Sequence, residues 1–275
     1  MSSLKHPHIG ELDELIGAIR QTYGHDFSNY AQTSFRRRVV RCMDKARVKT
    51  VSEMSARLTT DKPFFEWFLE SVTVNVTEMF RDPDFYKELR TNVIPTLASY
   101  PTIKIWHAGC ATGEEVYSMA ILLNEAGLLN RTRIYATDIN PVNLEKARQG
   151  IISSQHLNKY TSNYRQAGGT HEFSAYYTAR HNHAILDAAL RRNVTFEQHN
   201  LVTDQVFNQF HLVCCRNVLI YFNKKLQNRA IQLFHDSLVP LGYLTIGLKE
   251  SLLFADIKSD FDAVSPAANV FRRKT

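Results

Sequence analysis

Residues 103–118 read IKIWHAGCATGEEVYS. A short apolar run, 103–108, ends in Gly109; Gly113 follows, then Glu114, Glu115 and a helical pattern. This order predicts a strand that breaks into a loop over a ligand and enters a helix. Glycines in such a loop commonly cradle phosphate, and a helix N-terminus attracts it. Here two carboxylates stand where a phosphate would sit. Two like charges within about 6 Å of a phosphate cost on the order of 1–3 kcal/mol at intermediate dielectric. The dinucleotide fingerprint G-x-G-x-x-G is incomplete, because only Gly109 and Gly113 are present. A phosphate-binding Walker loop is also missing, since it needs Gly-Lys-Ser/Thr and Gly113 is followed by Glu114. The glycines therefore suit a ligand with a ribose, an apolar or aromatic part and positive charge.

Working outward, strand and helix patterns alternate: strands at 104–108, 133–137, 194–200, 211–217 and 242–247, helices at 114–126, 141–150 and 223–238, and a last strand at 268–274. That alternation predicts a mostly parallel sheet covered on both faces, with ligands at the carboxyl ends of its strands. Three further strand ends carry polar residues. Asp138 ends RIYATD, 25 residues after Gly113, where an acid is placed to hold ribose hydroxyls. Asn217, with Val218 behind it, ends LVCCRN, and Asn200-Leu201 ends another strand. S-adenosylmethionine combines a ribose, an adenine, an ammonium and a sulfonium without phosphate, and fits this set. A competing role exists for one acid: Thr112 and Glu115 have the T-x-x-E spacing of a capping box, so Glu115 also reads as a helix cap.

The chain has 275 residues, 44% of them hydrophobic, enough for one large domain or a medium and a small one. Its four cysteines, Cys42, Cys110, Cys214 and Cys215, form no CxxC pair, which argues against a disulfide scaffold and a zinc site; no metal is expected. The N-terminal MSSLKHPHIG lacks the apolar stretch of a signal peptide, and no segment reaches the roughly 18 apolar residues of a membrane span, so a reducing cytoplasm is expected. The net charge of +6 is local. Residues 27–50 carry seven basic side chains against Asp44 alone, an excess equal to that of the whole chain. Phe35, Val39, Cys42 and Ala46 share one helical face, and Arg38, Arg41 and Lys45 form an adjoining stripe that should face outward. With Arg36 and Arg37 they make either a solvated surface or a docking face for an acidic partner.

Between the helical pattern of 12–78 and the sheet lies FLESVTVNVTEMFRDPDFY, 68–86. Val72, Val74 and Val76 alternate with Thr73, Asn75 and Thr77, which reads as an extended linker, and Asp82-Pro83 marks a helix start. Residues 151–193 break the strand–helix rhythm with Gly168-Gly169 and the tyrosine-rich EFSAYYTARH, and read as an inserted subdomain.

Taken together, GCATGEEVYS, ATDIN, RNVLIYF (216–222) and NVTEMFRD (75–82) resemble the CheR family, chemotaxis receptor protein-glutamate O-methyltransferases. The resemblance spans nearly the whole chain. It implies an α/β fold: a Rossmann-like class I methyltransferase domain at 86–275 with the insertion at 151–193, a linker at 75–85 that contributes to the cofactor site, and a small all-helical domain at 1–74. It also implies methyl transfer from S-adenosylmethionine, leaving S-adenosylhomocysteine, to glutamate side chains on glutamate-rich cytoplasmic helices of chemoreceptors. Asn75, Thr77 and Arg81 match linker residues that touch the cofactor, one of Glu114 and Glu115 matches a cofactor-binding acid, and Asp138 matches the ribose acid. Asn200, Leu201, Asn217 and Val218 match positions around adenine and methionine. Arg81 and Tyr221 match residues beside the transferred methyl. Arg36, Arg37, Arg38, Arg41 and Lys45 become a docking face for the acidic substrate. The insertion lacks a recognisable version of the receptor-peptide capture site found in some members, which leaves open a non-receptor target in a related pathway. A nucleic-acid methyltransferase is disfavoured because no (N/D)PP(Y/F) tetrapeptide occurs; a non-catalytic cofactor sensor is opposed by the presence of both Arg81 and Tyr221.

Overall fold

The computed structural model describes residues 9–73, 75–253 and 255–275. They fall into two compact units, one made of 9–73 with 220–229, the other of 75–219 with 230–275.

The first unit is helical: α1 (Ile9–Tyr23), α2 (Gln32–Ala46), α3 (Val51–Thr60) and α4 (Lys62–Val72). Side-chain caps fix two of the starts. Thr50 accepts from the Glu53 amide at 3.1 Å, and Asp61 accepts from the Phe64 amide at 3.0 Å, each satisfying an amide that the helix cannot. On α2, Phe35, Val39 and Cys42 are buried as their spacing predicts, and Met43 joins them. The Tyr23 and Phe65 rings stack at 3.8 Å. Segment 220–229 is tied to the loop before α2. The Ala31 amide donates to the Tyr221 carbonyl at 2.8 Å, the Asn223 amide to that of Asn29 at 2.9 Å, and the Tyr30 and Phe222 rings meet edge-on at 5.2 Å.

Two expectations are corrected here. Arg38 does not face outward with Arg41 and Lys45. It is buried, donates to the Val72 carbonyl at 2.9 Å and to the Ser34 hydroxyl at 2.8 Å, and lies 4.8 Å from the Tyr221 ring centroid. Its place three residues after Phe35 puts it on the packed side, where its guanidinium satisfies a carbonyl at the end of α4. Val72, read as the start of the extended linker, is the last residue of α4 and is buried. Val74, in the same run, lies outside the described residues.

The second unit begins with α5 (Pro83–Glu88), opened by its proline as predicted, and runs through a π turn, Leu89–Val93, into α6 (Ile94–Leu97). Then come β1 (Ile103–Ala108), α7 (Glu114–Glu125), β2 (Thr132–Asp138), α8 (Pro141–Gln149), β3 (Ile151–Ser153), α9 (Leu157–Gln166), β4 (Tyr177–Arg180), β5 (His183–Leu186), α10 (Ala188–Arg191), β6 (Val194–Gln198), β7 (Phe210–Cys215), α11 (Lys224–Asp236, of which 224–229 fall in the first unit), β8 (Leu238–Ile246), β9 (Phe261–Ser265) and β10 (Val270–Arg273). The main sheet has the order β6-β2-β1-β7-β8-β10-β9. Neighbours pair in parallel except at β10, which runs antiparallel to both β8 and β9. The mostly parallel, Rossmann-like sheet is therefore present, and its order reverses between β1 and β7, where such folds open a ligand crevice.

Strand β9 carries no clear alternation and was not expected. Strand β8 begins at Leu238, where the helix was expected to end, because an apolar run at an element boundary suits either state. Within 151–193, β3, β5 and β4 form a separate three-stranded antiparallel sheet. It is anchored beside α7 by one buried carboxylate. Glu125 accepts from Arg90 at 2.5 Å, from the Tyr176 hydroxyl at 2.9 Å, from the Thr170 amide at 3.3 Å, and from the Tyr164 hydroxyl. This explains the Gly168-Gly169 pair. A side chain at Gly169 would sit 2.2 Å from the Tyr164 ring, so only glycine lets the turn pass.

Candidate functional site

The crevice at the β1/β7 switch point is built from three chain segments. The first is 109–115. Gly109 (φ 76°) bends the chain out of β1, and a Cβ there would lie 2.5 Å from the Val218 side chain. The loop and the end of β7 thus touch, which only glycine permits. Gly113 (φ 93°) is the N-cap of α7, and no side chain caps this helix. The capping-box expectation is overturned. Thr112 donates to Glu114 at 2.6 Å, while Glu115 points away, accepting from Arg216 at 3.0 Å and from His107 Nδ1 at 3.0 Å. The two adjacent acids have different environments. Burial pushes the Glu114 carboxyl above its usual range. Burial acts the same way on Glu115, but the His107 hydrogen bond and the Arg216 charge outweigh it and hold that carboxyl low.

The second segment is the end of β2. Asp138 is 8% exposed, and its carboxylate accepts from the Ala111 amide at 2.9 Å, the Asn140 amide at 2.9 Å and Asn143 Nδ2 at 3.4 Å. Burial raises its pKa against these hydrogen bonds. The acid thus closes the glycine loop itself, and Oδ2, which takes the Ala111 amide, keeps acceptor capacity for a hydroxyl. Asn143 also donates to Asn75 at 2.7 Å, which links the 75–82 segment to Asp138.

The third segment is the end of β7 with the loop after β8. Asn217 has a left-handed backbone (φ 62°), and its amide donates to Glu250 at 3.1 Å; Glu250 also accepts from the Gly247 amide at 2.5 Å. Asn200 shapes the turn after β6, its side chain accepting from the Val202 amide at 3.0 Å, and Leu201 is buried beside it.

Of the expected site residues, Gly109, Glu114, Glu115, Asp138, Asn217 and Val218 gather at the ends of β1, β2 and β7. Asn75 joins them through Asn143. Arg81 lies in the 79–82 turn and donates to the Val76 carbonyl at 3.2 Å, and Thr77 precedes it. Tyr221, Arg36, Arg37, Arg38, Arg41 and Lys45 belong to the other unit. Arg37, Arg41 and Lys45 are exposed, Arg36 half-buried and Arg38 buried.

The sequence reading missed Arg216, His107, Asn143 and Asp82. Arg216 is a guanidinium with 1% of its side chain exposed, bridging Glu115 and Asp82. One signal for it was available: a lone charge directly ends the apolar run LVCC. His107, Glu115 and Cys214 also bring three potential metal-ligand atoms within 4.8 Å. Arg216 pressed against Glu115, and a Cys214 thiol that burial keeps protonated, oppose a cation there.

These residues fit S-adenosylmethionine better than a phosphate ligand. The helix start meets the crevice with carboxylates, and an acid with a spare lone pair ends β2. Comparison with known proteins agrees. Residues 75–268 match the family model described as "CheR methyltransferase, SAM binding domain", and residues 10–73 match "CheR methyltransferase, all-alpha domain". A Pseudomonas putida protein named Cher3 is 50% identical over 263 residues, covering 96% of both chains. A chemotaxis protein methyltransferase of Listeria innocua is 32% identical, covering 86% of this chain and 87% of its own. Chemotaxis protein methyltransferase 1 of Pseudomonas aeruginosa is 28% identical, covering 78% and 80%.

Proposed function

The chain belongs to the CheR methyltransferase family and binds S-adenosylmethionine, and on that footing we propose that it methylates glutamate side chains of a chemoreceptor in the cytoplasm, forming methyl esters. It is a methyltransferase of the chemotaxis type. Among the described residues no helix is long and apolar enough to cross a membrane.

The observation that carries the acidic substrate is the exposed stripe Arg37, Arg41 and Lys45, spaced i, i+4, i+8 along α2, with no acid in the helix's first turn. Such a stripe attracts and orients a glutamate-rich helix. When bound, the cofactor supplies a methyl group on a sulfonium leaving group. Asp138 holds the ribose hydroxyls, and Asn200, Leu201, Asn217 and Val218 surround the adenine and methionine parts. Glu114, free of the Arg216 pair, takes the ammonium.

A substrate carboxylate is already ionised at pH 7, so the protein needs no general base and its work is mostly positioning. Charge is lost on the way to the transition state, so a strong ion pair to the reacting carboxylate would oppose reaction. The neutral hydroxyl of Tyr221 suits the task of orienting one oxygen. Arg81 suits steering, or anchoring the cofactor's own carboxylate. The test is transfer of labelled methyl to chemoreceptor cytoplasmic fragments. Label released as methanol in mild alkali supports the ester; alkali-stable label on protein, or label on nucleic acid, overturns it.

A further inference from the structure

Arg216 presents an energetic puzzle. Its guanidinium is stripped of water, and a buried ion cluster is weak ground for stability, because well-packed apolar residues often serve as well. Both of its terminal nitrogens are spent within the protein. Nη1 is given to Glu115 at 3.0 Å, Nη2 to Asp82 at 2.7 Å and to the Arg81 carbonyl at 3.4 Å, and its flat face lies 3.8 Å from the Phe85 ring centroid. Nε is buried and meets no acceptor among the described residues.

What it holds is a strained turn. Phe80 (φ 52°) and Asp82 (φ 57°) flank Arg81, both in the left-handed region that non-glycine residues rarely enter. Each such residue is strained and persists only where its surroundings over-determine it. The surroundings do so here. The Phe80 amide donates to the Ser118 hydroxyl at 2.8 Å, Asn163 donates to the Met79 carbonyl at 3.0 Å, and the fully buried Phe80 ring packs on Tyr86, Tyr164 and Phe173. Those ties fix residues 79 and 80. Beyond them, among the described residues it is Arg216 that ties down the Arg81 carbonyl and the Asp82 side chain. The same guanidinium holds Glu115, with His107 on the other carboxylate oxygen.

We propose that Arg216 is a positioning residue for cofactor binding: bridging Asp82 and Glu115, it locks the strained 79–82 turn, and with it Arg81, to the ends of β1 and β7. The assignment deepens the proposed reading and rests on it for the role of Arg81. Arginine is required because two separate carboxylates and a carbonyl must be met by one planar fork; a lysine ammonium offers a point charge on a flexible stem.

The test is calorimetric titration of S-adenosylhomocysteine into the full chain, with hydrogen exchange read on the ligand-free protein. Arg216→Met and Asp82→Asn should each raise Kd about 30-fold, and the double variant should be no worse than Arg216→Met alone. Arg216→Lys should recover only part of the loss. Exchange in peptides covering 79–82 should quicken at least tenfold, with β1, β2 and β8 unchanged. A merely structural role would instead quicken exchange across the sheet. Wild-type Kd in Arg216→Met, or fully additive losses in the double variant, overturns the proposal. Asp82 is partly exposed, so if Arg216→Met does not fold, Asp82→Asn decides by the same Kd and exchange criteria. No protein substrate enters these measurements, so their failure is distinct from failure of the ester assay.

Discussion

Two buried ion clusters in the second unit invite comparison. Around Glu125, one carboxylate meets Arg90, two tyrosine hydroxyls and a backbone amide, and none of these side chains leaves a buried polar atom unpartnered among the described residues. Around Arg216, one guanidinium meets Glu115 and Asp82, and Arg216 Nε and His107 Nε2 are both buried without a partner among the described residues. The saturated cluster staples the inserted sheet to the core. The unsaturated one sits at the strand ends and fixes a backbone turn in a costly conformation. A cluster that serves stability is completed, whereas one that serves a site tolerates orphaned atoms, because backbone position there outweighs hydrogen-bond economy.

The comparison breaks if removing the staple harms the site. Glu125→Leu should have the largest effect, about 3–5 kcal/mol, since it strands a half-buried Arg90 and two tyrosine hydroxyls. Thermal unfolding should move down by roughly 10 °C, while the folded fraction keeps its affinity for S-adenosylhomocysteine; a large loss of affinity would show that the insertion shapes the crevice. The same cluster has a pH signature. Burial pushes the Glu125 carboxyl up, but hydrogen bonds from Tyr164 and Arg90 and the Arg90 charge hold it below its ordinary value of 4.5. Its folded pKa being depressed, its contribution is complete above about pH 4.5 and is lost as pH falls through the folded value. The variant should therefore show a shallower loss of stability between pH 5 and 3 than the parent in acid melts.

Next in size, Asp138→Ala should weaken cofactor binding about 100-fold, because it removes the ribose partner and frees the Ala111 amide that closes the glycine loop; calorimetry showing an unchanged Kd would remove Asp138 from the site. The smallest effect belongs to the helical unit. Reversing Arg37 and Arg41 to Glu should raise KM for an acidic protein substrate about tenfold and leave cofactor Kd alone. Equal loss of both would end the docking assignment. Arg38→Glu should behave differently from this pair and lower the melting temperature, because its partner is the buried Val72 carbonyl.

Much of the site was legible in linear order. Gly109, Gly113, Asp138 and Asn217 each end or follow an apolar run, and a strand end is where an α/β sheet meets its ligand. The cofactor class was legible too, because Glu114 and Glu115 exclude phosphate by charge alone. Partner choice was not legible. Thr112 and Glu115 have capping-box spacing, yet Glu115 takes Arg216, which lies 101 residues away; local spacing states what a side chain could reach, and a buried guanidinium offers more than a backbone amide. Arg38 shows the same limit. Its periodicity placed it in a stripe expected to face outward, but helix rows differ by small angles, and the packed neighbours decide which side of the boundary a long side chain takes.

Linear order sufficed for the alternation of elements, the glycine loop, the acid at the end of β2 and the local origin of the basic charge, because each is a matter of periodicity or of charge counted along the chain. Tertiary structure alone decided that Glu115 is paired, that Arg38 is inside, and that Phe80 and Asp82 stand in left-handed backbone around Arg81. Those outcomes depend on desolvated charges finding partners across long sequence separations, and such partnerships exist only once the sheet has formed.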